Sequence, residues 1–235
     1  METQIIGIDC ATDPKRVGVA FGWLSGKGLT IDAVRTGRGE PPLVQDIAGW
    51  IKAAQRTLLA LDAPLGWPVA MSDLLPAHQA GQALPIDPNQ LFRRETDRFI
   101  KETLGKTPLD VGADRIARTA VAALSLLDAV GQEIGETIPL AWSPDFPDQA
   151  AAIEVYPAAT TLAHTRGKDT FPDTKISVIQ SALTKPPPPD MQDSLDIIDS
   201  CLCVVAGADF LQGNATPPTN LELARKEGWI WVRGR

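Results

Sequence analysis

Five carboxylates stand out by what surrounds them: Asp9, Asp62, Glu154, Asp196 and Asp199. Asp9 ends the apolar run Ile5-Ile-Gly-Ile8, and Asp62 ends Leu58-Leu-Ala-Leu61. Glu154 lies inside Ala151-Ala-Ile-Glu-Val-Tyr156. A carboxylate carried to the end of a buried strand is costly unless a metal, a cation or amide donors compensate it. Asp196 and Asp199 lie three residues apart beside the apolar arc of a helical stretch, so both face one way, with Asp193 near them. Clustered carboxylates are the hard oxygen donors that Mg²⁺ and Mn²⁺ select. Two such ions about 3.5–4 Å apart activate water and stabilise the leaving oxygen in phosphodiester hydrolysis. Each acid alone also has an ordinary reading. Asp9 and Asp62 can serve turns, Glu154 can face solvent on an edge strand, Asp193 can favour a helix start, and Asp196 and Asp199 can form a solvated face.

Other chemistries find little support. His78 and His164, the two histidines, have no zinc-like spacing with Cys or Glu. There is no Gly-rich phosphate loop ending in Lys-Ser/Thr and no Gly-x-Ser-x-Gly elbow. Arg93, Arg94 and Arg98, with Lys101, fall on one predicted helix, Leu91 to Ile100. They are placed either to contact substrate phosphate or to pair with Glu95 and Asp97.

The elements that must position the acids follow from periodicity. Ile5–Ile8 reads as a buried strand, Val17–Trp23 as a second and Leu29–Val34 as a third, together an antiparallel meander. A helix over 43–54 then crosses to a fourth strand, 58–61, parallel to the first. Asp9 and Asp62 thereby emerge at neighbouring C-terminal strand ends, the edge that ligand sites of open α/β sheets favour. Residues 69–150 read as a helical insertion or lid, 151–156 as a strand, and 176–183 as a short helix. The last long helix is expected from about 190 to 211, with 228–232 as a short closing strand or docking tail. Strand-Asp-turn-strand openings of this kind begin two groups of one superfold: ribonuclease H-like nucleases and actin-like ATPases or sugar kinases.

At 235 residues the chain suffices for one large domain. No run approaches the roughly 18–20 apolar residues of a membrane helix, and no secretory signal is visible. Cys10, Cys201 and Cys203 have no redox or metal spacing, so a reduced, cytoplasmic setting is expected. The net charge of −7 weighs against a broadly basic nucleic-acid surface, although a metal-dependent nuclease also concentrates acids.

Taken together, Gly7-Ile-Asp9, Leu61-Asp-Ala-Pro64, Arg94-Glu-Thr-Asp97, Ile153-Glu-Val-Tyr-Pro157, Asp196-Ile-Ile-Asp-Ser200 and Glu227-Gly-Trp-Ile230 resemble domain-of-unknown-function family 429. That family is regarded as nucleases of ribonuclease H-like fold. The Asp-x-x-Asp helix is also similar to the last acidic motif of Holliday-junction resolvases, with Ser200 in place of the usual Ala. The resemblance implies Asp9, Asp62, Asp196 and Asp199 as metal ligands, and Glu154 as a further catalytic acid on the family pattern alone.

The expectation is therefore a single ribonuclease H-like α/β domain over 1–235, its mixed sheet flanked by helices. It would hydrolyse nucleic acid, DNA or RNA, with Mg²⁺ or Mn²⁺, have no membrane partner, and be free to form a homo-dimer. An ATP-binding phosphotransferase or ATPase of the actin-like superfold is the first alternative. A non-catalytic scaffold of the same fold is the second.

Overall fold

The computed structural model describes residues 2–112, 114–167 and 169–234. Its sheet has five strands: β1 (Thr3–Asp9), β2 (Gly18–Ser25), β3 (Gly28–Thr36), β4 (Thr57–Asp62) and β5 (Ala150–Glu154). Their order is β3-β2-β1-β4-β5. The first three pair antiparallel, whereas β4 runs parallel to β1 and β5 parallel to β4. Strands covered on both faces need no polar alternation. Ile5, Ile6, Ile8 and Leu58 to Leu61 are accordingly all buried. This is the ribonuclease H-like mixed sheet that the sequence predicts.

Nine helices surround it among the described residues: α1 (Leu43–Ala53), α2 (Val69–Leu74), α3 (Pro88–Phe92), α4 (Glu95–Leu104), α5 (Asp114–Ile134), α6 (Pro157–Thr165), α7 (Pro172–Ala182), α8 (Leu195–Leu211) and α9 (Leu221–Glu227). On one face of the sheet α1 and α5 supply Ile47, Ile51, Leu127 and Val130 against Ile6, Ile8, Leu59 and Leu61. On the other face α8 supplies Cys201, Leu202 and Val205 against Ile5 and Ala20, and Cys203, Ala206 and Phe210 against Leu58 and Ala60. The alternation along β1 and β4 divides the two cores.

Three expectations change. The stretch 69–150 is not wholly a lid, because α5 belongs to the core beneath the sheet. The last long helix starts at Leu195, where Ser194 caps it by accepting from the Ile197 amide; residues Pro189–Gln192 form a separate 3-10 turn. Leu195 is exposed, while from Ser200 to Phe210 the helix is buried on every side. Residues 228–232 form no strand; Ile230 makes a single parallel bridge with Glu154. Among the described residues no helix is long and apolar enough to cross a membrane.

Candidate active site

The site is set by backbone before side chains enter. In the parallel register Asp9 stands opposite Asp62, and in the antiparallel register it stands opposite Gly18. The helix α8 lies directly on this corner because two glycines leave room for it. A Cβ on Gly7 would overlap the main-chain oxygen of Ser200, and one on Gly18 would overlap that of Asp196. The first turns of α8 therefore descend onto β1 and β2, and Asp196 and Asp199 come down beside Asp9 and Asp62. Four of the five predicted acids are gathered here.

Their electrostatics show the strain of that gathering. Asp9 is pushed up to about 9, first by burial, then by Asp62, Asp199 and Asp196. Asp62 is pushed up to about 8 by burial and Asp199. Asp199 is also raised by burial, with Lys175 opposing. Like charges this close cannot all ionise in a poorly solvated pocket. Asp9 and Asp62 are the two acids pushed up furthest, into the range where a carboxyl keeps its proton at neutral pH.

One cation already stands inside the cluster. Lys175 of α7 places Nζ 2.5 Å from Asp199 Oδ1, with both side chains largely buried. Arg16 approaches Asp196 at 3.6 Å, but from a mostly exposed position. Tyr156 lies at the border, its hydroxyl pushed up to about 12 by burial and by Asp62 and Asp199. Sequence reasoning missed Lys175, which sits in a polar stretch without periodicity; its only signal is to be the lysine in the first turns of a helix following a loop.

A family model described as "Protein of unknown function (DUF429)" matches residues 7–222. The chain belongs to this family. Two solved structures are similar to this DUF429 member: a Thermus thermophilus RuvC structure, at 12% identity and a TM-score of 0.40, and T. thermophilus RuvC in complex with a Holliday junction substrate, at 11% and 0.39. Each alignment covers 92% of this chain and 99% of that one. No curated protein matches it.

Four predicted site residues of this DUF429 member, Glu154, Arg93, Arg94 and Arg98, lie outside the acid cluster. Glu154 is paired with Arg94: Arg94 Nη2 donates to Oε1 at 2.7 Å and Nη1 to Oε2 at 2.8 Å. The Leu65 amide donates to the same Oε2 at 2.9 Å. Burial raises Glu154 above the usual carboxylate range, and these three donors oppose the rise. Arg94, expected to reach substrate phosphate, is instead one of the most buried side chains, and also forks onto Asp97. The predicted helix over 91–100 breaks to allow this, for Arg94 is extended backbone at the N-cap of α4.

Arg94 Nη1 also donates to the Glu227 carbonyl, and Glu227 Oε2 accepts from the Glu95 amide while its Oε1 accepts from Val69. The Ile230 amide donates to Thr96 Oγ1. Three of the sequence stretches that resemble the family thus close on one another as a buried joint. Its hold on Leu65 and Val69 fixes the loop that leaves Asp62. Arg93 and Arg98 stay partly exposed; Arg93 pairs with Asp110 at 2.9 Å, and Arg98 donates to the Arg93 carbonyl.

The cluster offers hard oxygen donors whose mutual repulsion a cation relieves, which suits Mg²⁺ or Mn²⁺. With Asp199 engaged by Lys175, no three His, Cys, Asp or Glu side chains among the described residues are grouped to hold a metal ion.

Proposed function

We propose that this protein is a divalent-metal-dependent nuclease that hydrolyses phosphodiester bonds of nucleic acid. The observation that carries the reading is the meeting of Asp9 and Asp62, on paired strand ends, with Asp199 and Asp196 at the start of α8. Asp9, Asp62 and Asp199 would hold Mg²⁺ or Mn²⁺, with Asp196 completing the set. Bound there, such an ion would provide positive charge beside a phosphodiester and would lower the pKa of a water.

The protein's own groups prepare that chemistry. Gly7 and Gly18 fix the approach of α8, and Glu154 acts through Leu65 to position the loop after Asp62 rather than as a reacting acid. Tyr156, its hydroxyl pushed up to about 12, borders the cluster. Arg93 and Arg98 are the arginines of the predicted trio left for phosphate, and Arg94 is not.

Thermal unfolding in EDTA, Mg²⁺ or Mn²⁺ tests the reading, with Asp9→Asn beside the wild type. At about 100 times the dissociation constant, binding stabilises by about 2.7 kcal/mol. For a chain of this size that is roughly 5–10 °C. A Mn²⁺ shift lost in Asp9→Asn, together with Mn²⁺-dependent cleavage of single-stranded, duplex or branched DNA or RNA, is the expected result. No shift in either protein would leave the scaffold reading in its place.

A further inference from the structure

Lys175 is the one feature of the cluster that neither the sequence motifs nor the fold explains. It comes from α7, outside the strands and the helix that supply the acids, yet its ammonium lies 2.5 Å from Asp199 Oδ1 with its side chain only 13% exposed. A lysine carries rotamer entropy and hydration that it gives up only for a strong partner. Here the partner is a pocket holding four carboxylates, and among the described residues no other cation enters it as deeply.

We infer that Lys175 is the built-in counter-ion of this site and sets its affinity for divalent cations by competing with them for Asp199. The inference rests on the metal-site reading given above. A divalent ion at this site would draw on the same Asp199 carboxylate that Lys175 holds and would meet its like charge at close range, so loading would favour withdrawal of Lys175. The geometry allows this, because a flexible four-carbon stem links the ammonium to α7. The protein at rest keeps part of its acid cluster neutralised without a metal.

The test is calorimetric titration of Mn²⁺ and, separately, Mg²⁺ at a fixed pH of about 8 into wild type, Lys175→Met, Lys175→Arg and Asp9→Asn. A charge-assisted hydrogen bond of this kind, lost on loading, predicts that Lys175→Met binds about tenfold or more tightly. Lys175→Arg, which keeps the charge, should stay near wild type, and Asp9→Asn should bind least. If Lys175→Met does not fold, Lys175→Gln is read in the same way. Measurable wild-type binding with equal or weaker binding by the uncharged variants overturns the competition and leaves the metal site standing. Absence of binding by both wild type and the uncharged variants overturns the site itself.

Discussion

The acid cluster makes a signed prediction about stability. Asp9 and Asp62 go from an ordinary value of 3.8 to about 9 and about 8 on folding. Between about pH 4 and 8 the folded state therefore keeps protons that the unfolded chain has released. Stability falls as pH rises wherever the folded state binds more protons, by at most about 1.4 kcal/mol per pH unit for each retained proton. One proton held by the coupled pair from pH 5 to 8 amounts to about 4 kcal/mol. Both side chains keep some access to solvent, and Lys175 lies close, so about half of that, roughly 2 kcal/mol, is the expected effect.

Other titrating groups also contribute to the raw pH profile, so the quantity to measure is the difference between wild type and Asp9→Asn. Urea unfolding in EDTA at pH 5, 6, 7 and 8 gives it directly. The variant should gain about 2 kcal/mol on wild type across that range, because it cannot charge in the pocket. Saturating Mn²⁺ should reverse the trend for wild type, since metal binding replaces protons. A wild-type-minus-variant difference constant to within about 0.5 kcal/mol from pH 5 to 8 would refute the electrostatic account of the cluster.

The remaining predictions concern its supports. Arg94→Met leaves Glu154 and Asp97 buried without their partner and should cost about 3–5 kcal/mol in urea unfolding; a loss under 1 kcal/mol would refute the joint. Arg94→Lys should not rescue it, because an ammonium cannot fork onto two carboxylates. Gly7→Ala forces α8 away from β1 and should destabilise by about 1–3 kcal/mol while weakening Mn²⁺ binding, checked by urea and calorimetry on the same sample. Arg93→Ala and Arg98→Ala should change stability by under about 1 kcal/mol but weaken nucleic-acid retention in a filter or gel-shift assay. Cys10, Cys201 and Cys203, all raised by burial, should resist a thiol reagent until urea unfolds the chain.

The meander, the crossover and the meeting of Asp9 with Asp62 were legible because unbroken apolar runs ending in a carboxylate admit few arrangements. Asp196 and Asp199 were legible as a helix face, although the start of α8 was not; it is set by Ser194, whose hydroxyl accepts from the Ile197 amide. Glu154 was singled out for the right reason, charge in an apolar setting, but not with its partner; Arg94 was placed against either phosphate or Glu95 and Asp97, and it takes Asp97 together with Glu154. Arg94 and Glu154 satisfy each other, and 60 positions of chain separate them, so no local pattern could announce the pair. Lys175 was invisible for the same reason: its importance comes wholly from which acid α7 brings it against.

The sheet's two margins differ in a way that bears on misassembly. Every side chain of β5, Ala150–Glu154, is buried, and a short edge that is apolar apart from the Arg94-paired Glu154 invites pairing with another chain. Here it is sealed by main chain: Ala152 exchanges bonds with Pro139 and Ala141, and the Trp231 amide donates to the Glu154 carbonyl. At the opposite margin β3 carries Asp32 and Arg35, charges that discourage such pairing. The segment around Trp231 thus acts as a guard as well as a clasp. Loosening it, by heat or by a mutation in the arginine joint, would uncover the strand best suited to seed aggregation, so damaged copies of this protein should be lost to precipitation before their cores have fully unfolded.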